Sequence, residues 1–354
     1  MQSLTLSFGR VNFIAIGLLS KLSDILSHLH GLRRFGLSFI SDLINDKEIS
    51  SLMTQICLNA KNLEHLILSF DRLGDVSNQA IKQVIQTIYH HLSSLQELTF
   101  NYRYTLSSNK DTSQIVPKQT FQPLTQLHLY LPNFNFELDL SSCCGSLREL
   151  TLSFDECRHM TDANFNQLLT GFSNLNFKNI NRLALLFNQV IQITDQSFTT
   201  LFNLDWTCLP NLKHLALGFT NCESITDTAL DYACLGILEY FKGLTVLEIS
   251  LKGCRLITEN GIKLLCTTIS RHMPHLKGLT IDFSIVSVLV PKQTVNEIVS
   301  KFVACLKELE RLRLEFVNSG PYDTEFMSEM RKKLCLIPKV DFYYSPPHSV
   351  LLTQ

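Results

Sequence analysis

The chain repeats one short apolar pattern, Leu-x-x-Leu-x-Leu-x-Phe, along nearly its whole length. The clearest copies begin at Leu63, Leu147 and Leu212. Less regular copies begin at Leu32, Leu95, Leu124, Ile180, Leu244, Leu276, Leu309 and Ile337, and a shortened first copy contains Leu4, Leu6 and Phe8. This spacing predicts about twelve repeats of about 32 residues, in which each unit buries its apolar side against its neighbours.

Each repeat combines a strand with a helix. The alternation Leu-x-Leu-x-Phe has the two-residue period of a β-strand with one buried face. Seven residues after the Phe position stands a short polar residue that can cap a helix, because its oxygen accepts hydrogen bonds from the first-turn amides. These predicted caps are Asp46, Ser77, Thr161, Thr194, Thr226, Thr258 and Asp323. A helical apolar stripe follows, most clearly at Ile81, Val84, Ile85, Ile88 and Leu92.

Three repeats carry a further motif after the strand. Its copies are Cys157-x-x-Met160-Thr161-Asp162, Cys222-x-x-Ile225-Thr226-Asp227 and Cys254-x-x-Ile257-Thr258-Glu259. The chain thereby resembles leucine-rich repeat proteins, nearest their ribonuclease-inhibitor-like and cysteine-containing subtypes. The resemblance implies one α/β horseshoe over residues 1–344, with a parallel sheet on the concave face and helices on the convex face. Two extra residues precede each Cys, so we expect longer strands than the family's.

The regular spacing is interrupted over residues 101–146. The stretch from Tyr104 to Gln119 is polar and has no helical stripe, so it is predicted to be a loop, either a neutral insertion or a partner-binding one. A shorter insertion, Ser284 to Pro291, is rich in valine and is expected to be extended. Residues 345–354 are predicted to be a tail, because Pro346 and Pro347 stop the last strand.

The N-terminal end of the array lacks a polar capping unit. The first 23 residues could be a poor signal or transit peptide, but they fit the repeat better. We therefore expect another chain, self-association or residues outside this sequence to cover this edge, since an open strand edge invites aggregation.

The variable strand positions line the concave face of such a fold, and they suggest where a partner binds. Their charges are mixed and their aromatic residues are few, although aromatic anchors usually dominate binding energy. The candidate protein-binding residues lie beside the irregular repeats or in a later charged cluster: Tyr102, Arg103, Tyr104, His128, Tyr130, Arg311 and Arg313. They can equally be ordinary solvated strand residues.

Sequence motifs for catalysis are absent. There is no Gly-x-Gly, no phosphate-binding loop, no Gly-x-Ser-x-Gly and no His-Glu-x-x-His. We therefore expect no catalytic residue, no cofactor and no metal. Cys157, Cys222 and Cys254 occupy positions where the repeat requires a small buried group, which favours packing over nucleophilic chemistry.

Composition limits the partners and the compartment. The net charge is −1, so binding to nucleic acid is not expected, and no apolar run reaches the length of a membrane span. The eleven cysteines are an odd number without a Cys-x-x-Cys pair, which favours a reducing, intracellular location, most simply the cytoplasm.

These observations favour a non-catalytic scaffold for protein–protein interaction, for instance a structural subunit of a larger assembly. The alternative is a substrate-recognition adaptor for ubiquitin ligation, because cysteine-containing leucine-rich repeats often follow an F-box; this chain shows no such segment before its repeats. An enzyme inhibitor or innate-immune receptor fits less well, since the concave face has few aromatic and acidic residues. An enzyme fits least.

Overall fold

The computed structural model describes residues 2–10, 21–22, 25–29, 31–40, 44–71, 76–103, 124–131, 140, 143–157, 160–173, 175, 177–286, 290–317 and 323–345. The chain divides into two compact units. The first contains Met1–His159 and Thr170–Ile180, and the second contains Met160–Leu169 and Asn181–Gln354. Whether the repeats form one continuous array over 1–344 stays a prediction, and residues 346–354 of the expected tail lie outside the described part.

In its described residues, the first unit contains six parallel strands. Its elements are β1 (Ser3–Arg10), β2 (Arg34–Ile40), α1 (Asp46–Asn59), β3 (His65–Asp71), α2 (Asn78–His91), β4 (Glu97–Arg103), β5 (Gln126–Tyr130) and β6 (Glu149–Ser153). Each strand pairs with the next one along the chain, so the repeated leucines stand side by side. The helix α3 (Asp162–Ser173) contributes residues to both units.

The second unit repeats this arrangement more regularly. Its elements are β7 (Arg182–Leu186), α4 (Asp195–Phe202), a 3₁₀ turn (Trp206–Cys208), β8 (His214–Gly218), α5 (Asp227–Glu239), β9 (Val246–Ser250), α6 (Glu259–His272), β10 (Gly278–Asp282), α7 (Lys292–Cys305), β11 (Arg311–Val317), α8 (Thr324–Leu334) and β12 (Lys339–Ser345). Its six strands also pair in parallel and in chain order. The predicted strand–loop–helix solenoid is confirmed.

The core is built from the repeated leucines and phenylalanines. Leu66, Leu98, Leu127 and Leu150 are completely buried in the first unit. In the second unit the Phe positions form contacts from repeat to repeat, with the rings of Phe187 and Phe219 stacked 5.6 Å apart. Burial of this kind stabilises each repeat only when its neighbours are present.

The helix starts follow the predicted caps, with one correction. The N-cap of α1 is Asn45 rather than Asp46, because the Asn45 side chain accepts from the amides of Lys47 and Glu48. Asp46 is the first helical residue, and its carboxylate instead accepts from the backbone N–H and the hydroxyl of Ser77 in the next repeat. Ser77, Thr194, Thr226, Thr258 and Asp323 are the caps that the sequence predicted.

The cysteine-containing repeats have shorter strands than the first repeats of the chain, and whether they are longer than those of other leucine-rich repeat proteins stays a prediction. Strands β6 to β10 have five residues each, whereas β2, β3 and β4 have seven. The extra residues turn the chain towards the helix, and one residue of each turn has a positive φ angle. These residues are Glu156, Gln189, Asn221, Gly253 and Ile285.

The irregular region is helix-poor in the part that the structure describes. Between β4 and β6 the described residues form no helix. The predicted loop from Tyr104 to Gln119 lies outside the described residues. In the shorter insertion, Ser284 and Ile285 form a turn, and residues 287–289 are outside the described part.

Candidate protein-binding surface

The strands expose a row of side chains on the face opposite to their buried leucines, and we call it the open face. In the first unit, β4, β5 and β6 bring two rows of residues together there: Thr99, His128 and Thr151, and next to them Asn101, Tyr130 and Ser153. We call these six residues the polar patch. The parallel register places them side by side, because identical repeat positions pair across neighbouring strands.

His128 and Tyr130 lie on the open face, as the sequence predicted, and both are half-buried. The Nδ1 atom of His128 is 2.8 Å from the hydroxyl oxygen of Thr151, which fixes the orientation of the ring. Whether these residues bind a partner stays a prediction.

The assignment of Tyr102 to the surface is corrected by the structure. Its side chain is only 1% exposed, and its hydroxyl donates a hydrogen bond of 3.0 Å to the carbonyl of Val76. The reason is its position two residues after Phe100, where the alternation points inward and the repeat normally carries Phe. Arg103 ends β4, but its side chain, like Tyr104, lies outside the described part of the structure.

Asn101 belongs to the polar patch but is not one of the binding residues predicted from the sequence. Its side-chain oxygen Oδ1 is buried and has no hydrogen-bond partner among the residues that the structure describes. A buried acceptor without a donor costs about 1–3 kcal/mol, so such groups are rare in folded proteins. Asn101 stands directly beside Tyr130 in the strand register, where a donor from a bound molecule would remove this cost.

The open face of the second unit carries charged groups. His214 Nε2 lies 2.8 Å from Glu248 Oε1, and this interaction lowers the pKa of Glu248. The positive charges of Arg182 and Arg311 lower the same pKa further. The carboxylate of Glu248 therefore stays ionised beside His214, Arg182 and Arg311, which come from three other strands.

The predicted residues Arg311 and Arg313 are exposed on β11. Arg313 is already engaged, because its Nε lies 2.5 Å from a carboxylate oxygen of Glu315 and its guanidinium lies 6.0 Å from the ring centre of Tyr343. Of the two, Arg311 is the less restrained. Both belong to the second unit, whereas His128 and Tyr130 belong to the first.

The cysteines fill the packing positions that the repeat predicts. Cys222 and Cys254 donate their thiols to the carbonyls of Phe187 and Phe219, each at 3.0 Å. Burial raises the pKa of the Cys57 thiol to about 12, so it stays protonated. Within the described residues, no three His, Cys, Asp or Glu side chains are grouped so as to hold a metal ion.

None of the described helices is both long and apolar enough to cross a membrane.

Comparison with known proteins gives structural neighbours only. The sequence matches no protein family profile and no curated protein. One neighbour is the crystal structure of the Rad7 and Elc1 complex from yeast, with 14% identity over 86% of this chain and 75% of the other and a TM-score of 0.37. Another is the leucine-rich repeat-containing protein LegL7 from Legionella pneumophila, with 14% identity over 99% of this chain and 87% of the other and a TM-score of 0.41.

Identities and TM-scores this low carry no information about a partner or an activity. The assignment of the fold therefore depends on the repeats of the chain itself. Copies of Leu-x-x-Leu-x-Leu recur along the sequence. In both units these copies form parallel strands in equivalent register, with their leucines buried side by side. In the part that the structure describes, the chain therefore has the leucine-rich repeat fold.

Proposed function

We propose that this chain is a non-catalytic scaffold that binds another protein through the polar patch of its open face. The observation that carries the proposal is the buried Oδ1 of Asn101, which lacks a donor in the described part of the chain. When the Asn101 side chain turns so that this oxygen becomes accessible, a partner's N–H or O–H can donate to it, and the acceptor gains a hydrogen bond that it lacks in the free chain.

The neighbours of Asn101 support a protein partner. Tyr130 offers an aromatic ring with a hydroxyl, a combination common in the residues that contribute most to protein interfaces. The side chains of Thr151 and Ser153 are small and only 7% and 2% exposed, so they project little above the sheet. A loop or strand of a partner can therefore approach the sheet closely at this point.

In finer terms, we propose that the chain is a fixed subunit of a larger assembly in a reducing, intracellular compartment. Support for the compartment comes from the eleven cysteines, which are all free thiols. The competing role is a substrate-recognition adaptor for ubiquitin ligation, and the identity of the captured partners distinguishes the two.

The first experiment captures partners from an extract of the native source with the tagged full-length chain and quantifies them by mass spectrometry. We expect the variants Asn101→Leu and Tyr130→Ala to capture at least about tenfold less partner than the parent chain, because removing a central interface residue weakens binding by this much. The control is Ile67→Ala, which removes an exposed side chain from the open face of β3.

Thermal unfolding of Asn101→Leu separates binding from folding. Because the replaced oxygen has no partner, we expect the variant's melting temperature to be equal to that of the parent chain or higher. A marked decrease, or capture that is unaffected by both variants, would contradict the proposal. Recovery of a cullin-type ligase would support the adaptor role instead of the structural one.

A further inference from the structure

The strands of the second unit begin at a basic edge of the sheet. In each repeat, two variable positions directly precede the first inward side chain of the strand, and backbone hydrogen bonds hold these positions side by side from repeat to repeat. The charged or titratable residues at these positions are Arg182, Lys213, His214, Lys277, Glu310, Arg311 and Lys339. With histidine neutral, their five Lys or Arg residues and one Glu give a net charge of +4. We call these seven residues the basic rim.

The equivalent positions of the first unit carry no net charge. They contain three arginines and three glutamates: Arg33, Arg34, Arg148, Glu64, Glu97 and Glu149. Two of these residues form an ion pair, with Arg33 Nη1 2.7 Å from Glu64 Oε1. The positive charge is therefore specific to the second unit and is not a general property of the repeat.

Most cations of the basic rim have no acidic partner in the described part of the chain. Glu310 pairs with Lys277 at 3.1 Å. No ion pair among the described residues involves Arg182, Arg311 or Lys339, and all three are exposed. The amine of Lys213 is also exposed, and it lies 3.5 Å from the carbonyl oxygen of Gly243. Four cations of the rim are therefore available to a negatively charged partner.

The charges around the basic rim limit where an acidic chain can lie. Glu248 on β9 is next to the rim, and Arg182 and Arg311 both lower its pKa. Further along the strands, the open face of the second unit carries one cation and three acids: Arg313, Asp282, Glu315 and Asp341. The loops that lead into β8 to β12 are balanced, with Lys242 and Lys307 against Asp205 and Glu308. Because like charges repel, an acidic chain is favoured along the rim and disfavoured across the rest of the open face.

The available cations form two groups with a gap between them. One group belongs to the repeats of β7 and β8, and the other belongs to those of β11 and β12. Neighbouring strands lie about 4.8 Å apart, so Lys213 and Arg311 are separated by about 14 Å, which an extended chain of about four residues spans. In the gap, Val246 is half-buried and Gly278 has no side chain. An apolar side chain of a partner can therefore pack on Val246.

We propose that the basic rim binds an extended acidic segment of another protein, which runs across the starts of β7 to β12. Two groups of Asp or Glu residues in the segment, separated by about four residues, face the two groups of cations, and an apolar residue between them contacts Val246. The net charge of the whole chain is −1, which gives no long-range attraction for a polyanion and favours a short acidic segment over nucleic acid. The rim belongs to the second unit and the polar patch to the first, so this proposal does not depend on the function proposed for that patch.

The test titrates a fluorescein-labelled eight-residue peptide with the full-length chain and follows fluorescence anisotropy. The peptide has two Glu-Asp pairs separated by four residues, one of which is leucine. We expect Arg311→Glu to bind it at least about tenfold more weakly at low salt, and Arg311→Gln to show a smaller loss. Both differences should decrease at high salt, because salt screens exposed charges.

The matched control is Arg34→Glu, which reverses an exposed arginine at the equivalent repeat position of β2. This variant changes the net charge by the same amount and should bind the peptide as the parent chain does. An equal loss of binding in Arg34→Glu and Arg311→Glu would overturn the proposal, as would the absence of binding to the parent chain.

Two altered peptides test the arrangement of the charges. A peptide with lysine in place of each acid should not bind. A peptide without the four middle residues should bind at least about fivefold more weakly, because its acids reach only one group of cations at a time. Equal binding of either altered peptide and the original one would overturn the proposal.

Two other occupants of the basic rim are also tested. If a single-stranded DNA of eight nucleotides binds as tightly as the acidic peptide, and Arg311→Glu weakens both equally, the rim accepts polyanions in general. If sedimentation shows a dimer that Arg311→Glu dissociates, the occupant is a second copy of the chain. Either result would overturn the proposal of an acidic segment from a different protein.

Discussion

At the scale of single residues, the turns that follow the strands require a positive φ angle at one position. Among the described residues, five equivalent positions have positive φ angles, a conformation that glycine and asparagine adopt easily and β-branched residues adopt at a cost. Gly253 and Asn221 are residue types that adopt this conformation easily. Ile285 is β-branched, and it adopts a φ of 62° at a cost.

We expect Ile285→Asn to raise the free energy of unfolding by about 1 kcal/mol, since it relieves a left-handed conformation at a β-branched residue. Asn221 shows that asparagine fits the equivalent turn. Urea denaturation of the full chain would measure the change as a higher midpoint.

The reverse substitution, Asn221→Ile, is the internal control and should lower the midpoint by a similar amount. The equivalent residue Gly253 gives a second check of the turn. Any substitution there adds a Cβ, which would lie 2.0 Å from the side-chain oxygen of Asn221 and should lower the midpoint. If Ile285→Asn proved destabilising, the half-buried side chain of Ile285 would contribute more than its backbone strain costs.

At the scale of the elements, an aspartate at the start of several helices joins its repeat to the next one. The carboxylate of Asp195 accepts from the amide of Thr226 at 2.8 Å and from its hydroxyl at 2.5 Å. Asp162 binds Thr194 in the same way, and Asp227 binds Thr258. Each Asp thereby orders the N-cap of the following helix.

We expect Asp195→Ala to destabilise the second unit by about 2 kcal/mol, because it removes two hydrogen bonds to a charged acceptor and leaves the Thr226 amide without its partner. The control is Asp231→Ala, which removes an exposed acid from α5. Chemical unfolding of the parent chain and of the two variants compares their midpoints. Equal midpoints for the parent chain and Asp195→Ala would show that the contact with Thr226 contributes nothing to stability.

The sequence predicts the strands well and the contacts between repeats poorly. The period of two and the leucine spacing are local, so they locate β3, β6 and β8 correctly. Asn45 is the helix cap through its contacts with the first-turn amides, whereas the contact of Asp46 with Ser77 lies in the next repeat and does not follow from the local pattern. Tyr102 could have been placed in the core from its position two residues after Phe100, whereas the missing partner of Asn101 follows only from the geometry of the packed strands.

At the scale of the whole molecule, stability in a repeat protein depends on how many neighbours each repeat has. In the second unit, β9 and β10 lie between two strands, and their inward leucines Leu247 and Leu279 are 2% and 1% exposed. β12 has one neighbouring strand within the described residues, and Val340 is half-buried. In the first unit, β1 is likewise paired on one side, with Leu4 and Leu6 half-buried.

We therefore expect the amides of β1 and β12 to exchange with solvent far sooner than those of β9 and β10. Opening an end repeat breaks one interface, whereas opening an inner repeat breaks two, so its free energy is higher. Hydrogen exchange followed by mass spectrometry, peptide by peptide, measures this gradient directly. Protection of β12 equal to that of β10 would contradict this expectation, because it would show that opening the repeat of β12 also breaks two interfaces.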